Sequence, residues 1–110
     1  MLDVRLYLLQ RLSAMVMAPL VLGHLALIVY AVQGGLSAAE ILGRTQGSAF
    51  WGAYYGLFVL AVSVHAAIGL RVIAAETLGV RGAVLRWATV GVFVALLLMG
   101  AWAVYAVTVA

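Results

Sequence analysis

The sequence is poor in charge, has a single proline and lacks cysteine altogether. Charged residues make up 8% of its 110 positions, against about a quarter in soluble domains, which excludes an ordinary water-soluble globule. Without cysteine there is no disulfide framework, no iron-sulfur ligation and no thiol nucleophile. The net charge of +3 and a pI of about 9.8 do not point to nucleic acid, because the six arginines are scattered and no aromatic interleaving accompanies them.

What is present is apolar: 68% of the residues are hydrophobic and the mean hydropathy is +1.25. Nine charged residues leave charge-free runs at 12–39, 45–70 and 87–110, of 28, 26 and 24 residues. Each exceeds the roughly 20 residues needed to cross a bilayer. The runs do not alternate with period two, so helices rather than a β-barrel satisfy the backbone in lipid. The expectation is an all-α membrane protein, a single domain over 1–110, with three transmembrane helices at about 8–32, 48–75 and 84–108. That leaves no room in these residues for a separate soluble catalytic domain. The first run is longer than the core of about 7 to 15 residues in a signal peptide, so its retention is expected. Ser37 followed by Glu40 has capping-box spacing and predicts a short interfacial helix over Ala38–Gly43. No repeat, low-complexity tract or linker interrupts the chain.

Arg5 and Arg11 precede the first span, Arg44 lies in the first loop, and Arg71, Arg81 and Arg86 surround the second loop. A cytoplasmic amino terminus puts five of six arginines inside, as the positive-inside rule asks, and the carboxyl terminus outside. Tyr7 and Trp87 then fall at inner helix ends, while Tyr30, Trp51, Tyr54, Trp102 and Tyr105 fall toward outer ends, where amphipathic rings favour the interface.

Only two histidines exist, His24 and His65, and both lie well inside hydrophobic runs. An ionisable residue there is costly and functional by default; the plainer reading is an interhelical hydrogen bond. No Asp, Glu or Cys is within reach to complete a zinc shell, whereas haem needs only an axial His and an apolar slot. At 100° per residue, Tyr54, Phe58, Ala61, His65, Gly69, Val72 and Glu76 share one helix face. Ala61 and Gly69 leave that face bare beside the imidazole, suited to a flat macrocycle or equally to a close helix contact. On the first helix Gln10, Ser13, Met17, Leu20, His24 and Ala31 align. Pro19 removes one backbone hydrogen bond and can open the helix near the carbonyl of Met15. Arg11 points about 140° away from His24 and serves either as a lipid-headgroup anchor or, by swinging, in a site.

Depth separates the histidines. His24 is 13 residues from Arg11, and His65 is 6 residues from Arg71. If both arginines mark one boundary, His24 is deeper by about 10 Å at a rise of about 1.5 Å per residue. One iron bridging both histidines of one chain is therefore disfavoured. Either two haems exist, each completed by another polypeptide, or only one histidine is a ligand.

These residues have a counterpart. Gln10-Arg11-Leu12-Ser13 resembles the Arg-x-Ser/Thr-Gly start of the first helix in the membrane-anchor cytochrome b subunits of succinate dehydrogenase and fumarate reductase. His65-x-x-x-Gly69-x-Arg71, with Glu76 five residues on, resembles their second-helix haem motif. Ala14 replaces the family glycine, and Gln10 stands where many members have His.

The resemblance implies half of a haem-binding helix bundle in the inner (cytoplasmic) membrane, paired with a second copy or a related anchor subunit. It implies one or two haems b per anchor pair, with His65 and His24 as metal ligands. Arg11, Ser13, Gly69, Arg71 and Glu76 become the cofactor-binding residues, with Ser13 and Arg11 near the quinone head group or a haem propionate and Arg71 and Glu76 in the same interfacial region. The partners implied are an iron-sulfur subunit, a flavoprotein subunit that carries the dicarboxylate chemistry, and lipid. A cofactor-free structural or assembly subunit of another membrane complex is the alternative. A transporter fits less well, since no second half or broken-helix pair is visible.

Overall fold

The computed structural model describes residues 3–110. Among these the secondary structure is helical throughout, without strands: α1 (Val4–Gly34), α2 (Ala38–Thr45), α3 (Ala49–Thr77) and α4 (Gly82–Thr108). Three of them, α1, α3 and α4, are long and apolar enough to cross a membrane. Their 31, 29 and 27 residues make rods of about 46, 43 and 40 Å, the thickness of a bilayer with its headgroup layers.

Capping residues, not hydropathy, set the starts of α1 and α3. The Asp3 carboxylate accepts from the Leu6 amide at 2.9 Å, so α1 starts four residues before the expected Leu8 and carries Arg5 and Arg11 on its exposed surface. Ser48 caps α3 by accepting from the Trp51 amide. The capping box at Ser37 and Glu40 forms as expected, with reciprocal bonds of 3.2 and 3.1 Å. The short helix it starts continues to Thr45, two residues beyond Gly43. Pro19 lies inside α1, which runs through it unbroken.

Packing centres on α3, which contacts α4 and α1, while α2 lies on α4. The start of α1 and the α3–α4 turn share one end of the bundle with five of the arginines. Arg44 and α2 lie at the other. There Thr45 donates to the Val107 carbonyl at 2.6 Å and the Gly47 amide to the Thr108 carbonyl at 2.7 Å. Gln46 also bonds the Ala110 carbonyl. These bonds tie α2 to the end of α4.

Most of the buried residues are small. Ala61, Ser63, Ala67, Ile68 and Ala75 of α3 are buried, whereas large apolar side chains such as Leu22, Val84, Met99 and Trp102 face outward. In hydrocarbon an apolar surface gains nothing by burial, so small residues that let backbones approach define the contact. The tightest approach between the long helices is Gly100 of α4, where an added Cβ would collide with the Val59 side chain of α3. Gly100→Val therefore should overpack this crossing and cost about 1–3 kcal/mol, read as reduced thermal stability in detergent. Leu98→Ala on the lipid face should change stability by less than about 0.5 kcal/mol.

Candidate functional site

The expected stripe on α1 is the face that meets α3. Ser13 is buried and Gln10, Met17, Leu20 and His24 are half-buried, while Arg11, Leu12, Ala14, Met15 and Val16 are exposed. At this contact Ser13 Oγ donates to the Gln10 carbonyl at 2.9 Å and lies 3.3 Å from His65 Nδ1. Gln10 completes the cluster: its Oε1 is buried without a partner, and its amide nitrogen lies 3.7 Å from where a Gly69 Cβ would stand.

His65 also borders an open groove of about 400 Å³ lined by Ala14, Met17, Ala18, Val21 and Leu22 of α1. Of the two uses open to the small residues beside His65, the structure shows the close helix contact. Ala61 does not present a bare surface beside the imidazole, because it is buried in the helix packing, and Gly69 faces Gln10. The bare stripe belongs instead to Ala14 and Ala18 of α1, both exposed.

His24 occupies a different environment. Its ring meets Tyr55 and Phe58 edge-on, with centroids 6.0 and 5.6 Å apart, and its Nδ1 is buried without a partner. It borders a cavity of about 420 Å³ whose other walls include Phe58, Val62, Leu96 and Val104. A second cavity of about 430 Å³ runs from His24 toward Tyr30, Arg44 and Trp51. Nearby, the Tyr54 hydroxyl donates to the Leu20 carbonyl at 2.6 Å, and Gly23 makes room for it, since an added Cβ would lie 2.5 Å from the phenol oxygen. Sequence reasoning assigned Tyr54 to the interface belt and did not find Tyr55. The signal was their spacing with Phe58, one turn apart on α3 opposite the Leu20–His24 segment.

His65 is level with Ser13, and His24 with Tyr55 and Phe58. Helix rise therefore separates the imidazoles by about 10–16 Å along the bundle, a range that starts at the 10 Å expected. Within one chain they cannot bind the same iron.

With this geometry in hand, comparison with known proteins gives one match. The family described as succinate dehydrogenase/fumarate reductase transmembrane subunit matches residues 1–110. The chain belongs to this family. Neither a curated protein nor a solved structure matches it. As a transmembrane subunit of this kind, with three membrane-spanning helices, it is a multi-pass membrane protein and a component of a dehydrogenase or reductase complex.

Among the described residues of this subunit no three His, Asp or Glu side chains cluster as a metal site; a haem is held by single axial imidazoles instead. At His65 the Nδ1 contact to Ser13 and the adjoining apolar groove fit such a ligand. At His24 the unpartnered ring nitrogen and apolar cavity fit one as well, without the supporting hydrogen bond. The charged candidates stand apart. Arg11 is exposed and directed along its own helix, donating to the Tyr7 hydroxyl at 3.2 Å with its guanidinium 5.8 Å from that ring. Arg71 is half-buried and Glu76 exposed, at the same end of the bundle.

Tyr54 anchors α3 to α1 between the two histidines. Tyr54→Phe should cost about 0.6 kcal/mol and at most about 1.7, the range of interhelical bonds in lipid. Gly23→Val, which displaces the phenol, should cost more. Reversible unfolding of the subunit in mixed micelles measures both.

Proposed function

We propose that this subunit binds haem b through His65 and pairs with a second anchor, identical or related. Together they connect the iron-sulfur and flavoprotein subunits of a succinate dehydrogenase or fumarate reductase to membrane quinone. The observation that carries the reading is His65 itself. It is an imidazole inside a membrane span, held at Nδ1 by Ser13, beside an apolar groove on the outside of the three-helix fold. An intramembrane ionisable side chain is retained against its cost when it has work to do, and a groove on the outer surface is where a second subunit can close over it.

Bound haem b supplies a one-electron relay within the membrane. The chain's own groups do the rest: His65 binds, and Ala14, Met17 and Ala18 exclude water and leave room for a flat group. Arg11, at the arginine-rich end, reaches a quinone carbonyl or a carboxylate with a charge-assisted hydrogen bond. Arg71 and Glu76 belong to the same interfacial region, and Gly69 keeps α3 close to Gln10. The Ser13 hydroxyl is committed to Gln10 and His65, so its part in this site is played through His65. On the positive-inside rule the arginine-rich end faces the cytoplasm, the side on which the soluble subunits dock in this reading, and the membrane proposed is the inner (cytoplasmic) one. His24, at the other level, serves a second, outer haem across a subunit interface.

One observation favours a second reading, a cofactor-free structural subunit: the Ser13–His65 contact by itself satisfies the imidazole as an interhelical bond. A dithionite-reduced minus oxidised spectrum of the purified complex separates the two. A low-spin haem b signal that falls in His65→Leu supports ligation; an unchanged signal in that variant removes the assignment. Arg11→Leu should impair quinone reduction while succinate oxidation with a soluble acceptor stays nearly intact, and equal loss of both activities would mark an assembly defect instead.

A further inference from the structure

The hydrogen-bond chain Gln10–Ser13–His65 has a direction. The Gln10 carbonyl has no proton, so at 2.9 Å the Ser13 hydroxyl donates to it. A hydroxyl carries one proton. Toward His65 Nδ1, 3.3 Å away, Ser13 Oγ is then an acceptor only, and Nδ1 must carry the hydrogen. Ser13 is 6% exposed, leaving little room for water to complete a different arrangement. A neutral imidazole protonated at Nδ1 presents the lone pair of Nε2, the atom left for a metal.

We propose that Ser13 is a positioning residue that fixes His65 in the Nδ1–H tautomer and so holds Nε2 ready as the ligand atom. The inference rests on the haem reading for its purpose but not for its geometry. Removing the acceptor leaves Nδ1–H unpaired at an apolar contact and frees the ring to rotate or change tautomer. Partners of this kind orient metal-ligating histidines and raise their basicity. A more basic imidazole favours oxidised iron, so losing the bond should raise the haem midpoint potential.

The test uses the full chain in lipid bilayers with ¹⁵N-labelled histidine and no haem added, in a His24→Leu background so that only His65 reports. Nitrogen shifts distinguish a protonated from an unprotonated ring nitrogen directly. The expected result is Nδ1–H in the parent, a mixture of tautomers in Ser13→Ala, and Nδ1–H again in Ser13→Thr, which keeps the hydroxyl. In the assembled complex, Ser13→Ala should weaken haem retention by about 10- to 100-fold and shift the potential upward, with Ser13→Thr close to the parent. Nε2–H in the parent, or the same tautomer in Ser13→Ala as in the parent, overturns the proposal. The expected tautomers in a complex that holds no haem support the Ser13 assignment and overturn the haem reading alone.

Discussion

Every polar group in the hydrocarbon layer must find its partner inside the protein, and most of this structure follows from that constraint. Ser63, Thr89 and Thr108 turn their hydroxyls back onto carbonyls one turn earlier in their own helices. Tyr54 reaches across to Leu20, and Thr45 ties α2 to the end of α4. Against this background the unmatched groups stand out: Gln10 Oε1 and His24 Nδ1 are buried without partners. Both lie on the single face of α1 that meets α3. The polar chemistry is thus confined to the α1–α3 seam, and α4 contributes only apolar walls to the cavity beside His24.

The same constraint accounts for the packing. Lipid offers large side chains an environment as favourable as a protein core, so most of the buried positions are alanine, serine and threonine, with Ile68 and Leu85 beside them, and most large residues face outward. A fold of this kind has no outer face that water forbids. The groove beside His65, with Ala14 and Ala18 bare, is therefore open to a second helix layer as readily as to lipid. Under the proposed function that layer is a companion anchor subunit, which closes over the groove beside His65.

Much of this was legible in the sequence. Charge-free runs gave the three spans, the Ser37–Glu40 spacing gave α2, and helical periodicity picked out the α1 face from Gln10 to His24. Depth arithmetic separated the two histidines with the correct sign and a distance at the lower end of what the structure gives, having taken Arg11 and Arg71 as one boundary although both helices continue past them. What could not be read was which small residues are bare. Ala61 and Ala14 are the same residue type, and only the rotation of each helix about its own axis decides that the first is buried and the second exposed. Nor does spacing show that Ser13, rather than water or quinone, meets His65. That contact depends on the register of two antiparallel helices far apart in sequence.

The central claim is that two imidazoles at two levels of one half-bundle each take part in a separate site completed by a partner. Quantifying haem against anchor subunit in the intact complex, for the parent, His24→Leu and His65→Leu, tests it most directly. The account predicts two haems per anchor pair, with each substitution removing one and sparing the other. One haem per pair, untouched by His24→Leu, would contradict it and leave His24 as a packing residue against Tyr55 and Phe58.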